Sequence, residues 1–183
     1  MTSGAATDFH SHLVPGVDDG AADIVESRAA VAAMVRDSVA TAIVTPHFDG
    51  SLTLAPQMMQ ERLAQLDAGF AELTADAEVA GHGLRLLRGV ELMLDVPDPD
   101  VSDERLRLGG GRFVLVEYPG LQLPLAHADF AIRALRQNGW QQVVAHPERY
   151  RNVDESLEQL LPLRYAGAYF QVNAGSLIGL HGD

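Results

Sequence analysis

Asp8-Phe9-His10-Ser11-His12 runs into Pro15-Gly16-Val17-Asp18-Asp19-Gly20, a short strand followed by an acidic, glycine-bounded turn. Side chains alternate faces along a strand, so His10 and His12 point the same way. Two imidazoles side by side make a poor core but a good half of a metal site. The aspartates follow closely enough to reach back to the same place, with Asp18 better suited to a turn or capping role than to ligation. An isolated His-x-His pair can be an accident of a surface strand. Here matching residues recur down the chain.

Outward from this opening, strands and helices alternate. The pattern predicts a strand over 7–12, a helix over 22–37 with Ile24, Val31 and Val35 on one face, and a strand over 40–45 ending at Pro46. Met59, Leu63, Leu66, Phe70 and Leu73 recur at the spacing of one helix face. A strand over 84–92 follows, then a Pro/Asp-rich loop over 95–103, and a strand over 112–118 introduced by Gly109-Gly110-Gly111. A helix over 125–138 stops at Gly139, a common helix exit. A strand over 141–145, a helix over 153–165 and a strand over 168–172 complete the series. Such alternation implies an α/β fold, a parallel sheet with helices outside, either open or closed into a barrel. No linker, repeat or low-complexity tract interrupts it, so residues 1–183 read as a single domain.

Composition narrows the chemistry. The 183 residues are 47% hydrophobic and 21% charged, ordinary for a soluble globular protein. A net charge of −12 argues against nucleic acid as a partner, because phosphate backbones attract Lys and Arg. No apolar run is long enough to insert into a membrane. No basic-then-apolar leader opens the chain, which points to the cytoplasm. There is no cysteine, which removes disulfides, iron–sulfur clusters, thiolate zinc sites and every cysteine-nucleophile mechanism, the thiol phosphatases included.

Each expected strand then delivers a metal-ligating type of residue near its C-terminal end. The first gives His10 and His12, the second His47 in Thr45-Pro46-His47, and the third Glu91 in Gly89-Val90-Glu91. The fourth gives Glu117 in Leu115-Val116-Glu117-Tyr118, and the fifth His146 in Ala145-His146-Pro147-Glu148-Arg149. Parallel α/β folds build their sites at this edge. One glutamate after a strand is usually a surface charge or a cap. Six ligand-type residues at one edge, each preceded by apolar residues, describe a charged cluster over a dry floor. Such a cluster repels itself unless cations join it. Mixed imidazole and carboxylate donors suit zinc, manganese or iron.

With these residues in view, the chain resembles the PHP (polymerase and histidinol phosphatase) superfamily. Within it, the likeness is to the metal-dependent bacterial protein tyrosine phosphatases of capsule and exopolysaccharide biosynthesis. The landmarks are the His-x-His strand with Asp18-Asp19-Gly20, Thr45-Pro46-His47, Gly89-Val90-Glu91, His146-Pro147-Glu148-Arg149-Tyr150, and Gln171-Val172-Asn173 with Ser176-Leu177. The resemblance implies a distorted (β/α)7-type PHP barrel and up to three divalent metals, with manganese expected first and iron or zinc as alternatives. Carried over by position, His10, His12 and Glu91 hold one metal. Glu91, Glu117 and His146 hold a second, with Glu91 bridging. Asp19 and His47 belong to a third. Arg149 matches an arginine that holds the substrate phosphate, and its planar fork suits phosphate oxygens. The rival role for Arg149 is a salt bridge to a neighbouring carboxylate.

The implied activity is hydrolysis of phosphotyrosine on the tail of a bacterial tyrosine autokinase that regulates polysaccharide synthesis. Two departures bear on it. The family usually continues past Asn173-Ala174-Gly175-Ser176 to a Ser-Asp-Ala-His motif carrying two further ligands, whereas this sequence reaches Asp183 without it. Phe48 stands where many relatives have another histidine. The resemblance therefore predicts a C-terminally incomplete barrel lacking its last strand or strands. It also predicts self-association through the open edge at Tyr169-Phe170-Gln171-Val172-Asn173. Two alternatives stay open. One is a small-molecule phosphomonoesterase of the histidinol-phosphatase kind. The other is an inactive PHP domain that serves only as a metal-binding or interaction module. His82, His127 and His181 read as solvated.

Overall fold

The computed structural model describes residues 6–124 and 126–179. Its strand plan turns on Gly89. The stretch expected as one strand over 84–92 is two, β4 (Arg85–Arg88) and β5 (Glu91–Met93). A partner stretch bends at the same level: β2 (Val39–Val44) stops at Thr45-Pro46 and resumes as β3 (His47–Asp49), an element not expected from the sequence. Proline cannot donate to a ladder, and a Cβ on Gly89 would sit only 3.2 Å from Ile43 Cγ2 and Leu108 Cδ2. Backbone bonds nevertheless carry the pairing through the bend. Gly89 N–H donates to Val44 O and Glu91 N–H to Pro46 O, each at 3.0 Å.

β1 (Ala6–Ser11) pairs with β2, and β2 with β4. β3 pairs with β5, followed in order by β6 (Phe113–Glu117), β7 (Gln141–Ala145) and β8 (Tyr169–Gln171). Every pairing is parallel. The result is an α/β fold of two parallel sheets, β1-β2-β4 and β3-β5-β6-β7-β8, which the backbone bonds at the bend join into one curved wall. Among the described residues β1 and β8 are its two ends, and the groove between them has a volume of about 390 Å³.

The helices form where local chemistry lets them. α1 (Ile24–Arg36) begins later than expected because Asp23 caps it, accepting from Val25 and Glu26 N–H. α2 (Pro56–Ala75) follows the expected stripe. Leu63, Leu66 and Leu73 are buried, and Met59 and Phe70 pack partly buried beside them. Burying each such leucine stabilises by about 1.5–3 kcal/mol. A short helix, α3 (Ala77–Gly81), is capped by Asp76. α4 (Ala128–Gln137) lies within the expected span, and Leu125 falls outside the described residues. The helix expected over 153–165 shrinks to α5 (Leu161–Ala166). Upstream, the Asp154 carboxylate folds the chain into a turn by accepting from Ser156 and Gln159, and Leu157 takes a left-handed φ of 57°. No helix among the described residues is long and apolar enough to cross a membrane.

Two cores flank the wall. The larger packs Phe48, Leu92, Val116, Ile132 and Leu163, and the smaller packs Val14, Val31, Val44 and Leu73. α2 belongs to both. On the other face of β6 and β7, Leu115, Val143 and Ala145 form a third apolar group. That group is the dry floor that the sequence implied.

Candidate metal centre

β1 has a bulge. Asp8 lies opposite Ala42 and Ser11 opposite Val44, so β1 advances three residues where β2 advances two. Bulges of this kind re-aim side chains beside functional sites. The freed His10 N–H goes to Asp8 Oδ1 at 3.0 Å. The two histidines meet as the spacing implied, with their Nε2 atoms 3.2 Å apart.

His47 and Glu91 arrive through the bend. They open β3 and β5 and lie directly opposite each other in the ladder. Their place is therefore a kink inside two long strands, not a strand end. Glu117 closes β6, and His146 follows β7. His146 takes a left-handed backbone (φ 30°, ψ 60°), unusual for a residue with a side chain and costing on the order of 1–3 kcal/mol.

Glu91 stands at the middle, 1% exposed. Its Oε2 is 3.2 Å from both His10 Nε2 and His12 Nε2, and 3.3 Å from His47 Nδ1. Its Oε1 is 3.0 Å from His146 Nε2. His146 Nε2 is also 3.6 Å from Glu117 Oε1, and Asp19 Oδ1 is 3.1 Å from His47 Nε2. Three sets of donor atoms converge: His10, His12 and Glu91; His12, Asp19 and His47; His47, Glu91 and Glu117. The first brings together the three residues expected at one metal. In the third, His47 stands in the place expected for His146, whose ring lies against both carboxylates.

Electrostatics fit a cation here. Burial would raise the Glu91 carboxyl, but the imidazoles of His10, His12 and His146 pull it well below its ordinary range. Burial and the Glu91 charge push Glu117 the other way, upward. Burial would lower His12, yet its bonds to Asp18 and Glu91 lift it to about 10. Two carboxylates this close to His12 favour positive charge at the centre, the kind of charge that a divalent ion would supply. Glu91 Oε2 and His47 Nδ1, 3.3 Å apart, are buried without a well-formed hydrogen bond, an arrangement that a bound ion explains.

Asp18 has a larger role than a turn. Its Oδ1 accepts from Gly20 N–H, while its Oδ2 takes His47 N–H at 3.0 Å and His12 Nδ1 at 2.8 Å. Burial raises its pKa, but these donors bring it down to about 2. A carboxylate can only accept, so His12 carries its proton on Nδ1 and presents Nε2 to the centre. Sequence reasoning saw the turn and missed this second task. Gly20 makes it feasible, because a Cβ there would overlap His12 Cβ and the His12 carbonyl oxygen. Gly20→Ala should push the acidic turn away and weaken Mn(II) binding at least about tenfold, measured by calorimetric titration. Unchanged binding would place the turn outside the centre.

The surrounding cavity is about 840 Å³, inside the usual range of about 300–1,000 Å³ for small-ligand sites. All eight expected site residues line it: His10, His12, Asp19, His47, Glu91, Glu117, His146 and Arg149. Arg149 is exposed, and no ion pair among the described residues holds it. Next to it, Glu148 accepts Asn173 N–H and Ser176 Oγ–H, fastening the loop after β8 to the rim. His82 is half-buried instead of solvated, His127 is exposed, and His181 lies outside the described residues.

The chain is similar to known proteins along nearly its whole length. The family model for capsular polysaccharide synthesis, CpsB/CapC, matches residues 6–183. The chain is 32% identical over 177 residues to the tyrosine-protein phosphatase YwqE of Bacillus subtilis, covering 96% of this chain and 67% of that protein. It is 27% identical over 169 residues to the tyrosine-protein phosphatase CpsB of Streptococcus pneumoniae, covering 91% and 67%. It therefore spans about two thirds of the length of these relatives. Its fold superposes with a TM-score of 0.73 and 28% identity on a chain from the crystal structures of YwqE and CpsB, described as unique metal-dependent tyrosine phosphatases. That match covers 97% of this chain and 70% of the other.

Proposed function

The chain belongs to the CpsB/CapC family of capsular polysaccharide synthesis, and from that premise we propose that it is a metal-dependent tyrosine-protein phosphatase. The observation that carries the reading is Glu91, a buried carboxylate ringed by four imidazoles, with Arg149 on the same cavity. In this reading His10, His12 and Glu91 hold one divalent ion, and Glu91, Glu117 and His146, with His47 close by, hold a second. Asp19 and His47, joined by His12, form the third site. Manganese is the expected ion, and iron or zinc also suits the donors. Bound divalent ions would polarise the phosphoryl oxygens, activate water and neutralise the leaving phenolate.

The chain's own residues do the rest. Glu91 and Glu117 keep the imidazoles gathered. Asp18 fixes the proton of His12. Arg149 grips the phosphate at the cavity mouth with a planar pair of donors. Leu115, Val143 and Ala145 keep water from the floor. The substrate we infer is a flexible phosphotyrosine tail of a cytoplasmic kinase, since an extended peptide reaches an open cavity that a folded surface does not. We also assign the curved wall to the distorted barrel of the PHP superfamily.

A rate comparison tests the activity. With Mn(II) supplied, a phosphotyrosine peptide should be hydrolysed at least about tenfold faster than histidinol phosphate or a phosphoserine peptide, a difference of roughly 1.4 kcal/mol in barrier. Chelation should abolish the rate and Mn(II) should restore it. Faster turnover of histidinol phosphate would turn the reading to a small-molecule phosphatase. Indifference to chelation would end the metal-dependent one.

A further inference from the structure

We propose that Gln171 is a positioning residue for the metal centre, setting the proton of His10 and the backbone of His146 with a single carbonyl oxygen. The proposal rests on the metal-site reading above. Gln171 is 9% exposed on β8, at the far end of the wall from His10 on β1. Its Oε1 is 3.1 Å from His146 N and 2.8 Å from His10 Nδ1, and its Nε2 donates to Asn173 Oδ1 at 2.9 Å.

The assignment follows from what each group can do. A backbone N–H only donates, so the atom facing His146 N is the amide oxygen and not the amide nitrogen. The same oxygen faces His10 Nδ1. Oxygen of an amide only accepts, so His10 carries its proton on Nδ1. That leaves His10 Nε2 as a bare lone pair, 3.2 Å from Glu91 Oε2 and 3.2 Å from His12 Nε2, aimed at the centre. The second bond acts on strain. His146 sits at a positive φ, and its N–H is held there by Gln171. Release of that bond would free the peptide that turns the His146 ring toward Glu91. Partners that orient a ligating imidazole commonly change metal affinity about 10–100-fold.

Three substitutions in the full chain test this, with Mn(II) alone as the probe. Gln171→Met keeps the bulk and removes the acceptor. Gln171→Asn keeps the amide but withdraws it by one methylene, and carries the test if the methionine variant does not fold. Gln171→Glu keeps the acceptor and should bind Mn(II) within about threefold of the unaltered chain, whereas Met and Asn should weaken the tightest site about 10–100-fold. A second readout concerns the proton itself. Imidazole ¹⁵N spectra of the zinc-loaded chain should show His10 as a single Nδ1–H form, lost in the Met and Asn variants and kept in Glu. Mn(II) affinity unchanged in the Met or Asn variant overturns the proposal. So does weakening that Glu fails to rescue, since the role would then be packing or the bond to Asn173. If the unaltered chain binds no Mn(II), the metal reading falls and this inference falls with it, a result distinct from a loss confined to the variants.

Discussion

Glu91→Gln is expected to strip the centre of metal and lower kcat/KM by about three orders of magnitude, the equivalent of roughly 4 kcal/mol. The exchange barely changes shape. It removes the one charge that four imidazoles share, and it turns an acceptor oxygen into a donating amide that faces nitrogen lone pairs. Glu91 is buried, so water cannot replace what is lost. His47→Gln should do less. That side chain is 31% exposed at the solvent side of the cluster, and a neutral ligand there is more readily replaced by water. Element analysis of both purified variants, beside phosphotyrosine hydrolysis, decides the matter. Equal metal loss would remove the central role from Glu91, and a loaded, active Glu91→Gln would remove Glu91 from the site.

The second large effect separates binding of substrate from binding of metal. Arg149→Ala should raise KM for a phosphotyrosine peptide about 10–150-fold, which corresponds to roughly 1.5–3 kcal/mol for one charge-assisted phosphate contact. Metal content should stay as in the unaltered chain, because Arg149 lines the cavity without standing among the converging donor sets. Arg149→Lys should recover only part of the loss, since a point charge does not reproduce a planar fork. A fall in metal content would mark Arg149 as part of the scaffold instead.

What could be read in advance, and what could not, divides along physical lines. α2 was legible because its apolar spacing is set by burial of one face, and β7 because an apolar run ends at a site histidine. The split of residues 84–92 into β4 and β5 was not. Gly89 announces a break, but only the paired bend at Pro46 makes both halves strands. The helix over 153–165 failed because side-chain bonds from Asp154 compete with helix, a contest that periodicity does not register. In the site, all eight candidate residues come to one cavity, since they lie on the strands of the wall or on the turns and loops that follow them. Asp18 and Gln171 stood in the quoted motifs, yet their tasks are bonds to His12 and His10 from a turn and from a distant strand. Only the folded chain brings those pairs together.

The curved wall also grades its own rigidity. β2, β5, β6 and β7 are bonded on both sides, whereas β1, β3, β4 and β8 each have one bonded neighbour among the described residues, with β3 and β4 backed at the bend by the strands they continue. Amide hydrogens on the inner strands should be the slowest to exchange, and those on the outer flanks of the two ends the fastest. The converging side chains come from both regimes: Glu91, Glu117 and His146 from the stiff middle, His10 from the bulged strand at one end and His12 from just past it. The centre is thus a jaw closing on an anvil. An opening confined to β1 would bare the centre while the larger core behind β5, β6 and β7 stays packed, which would separate metal loading from folding.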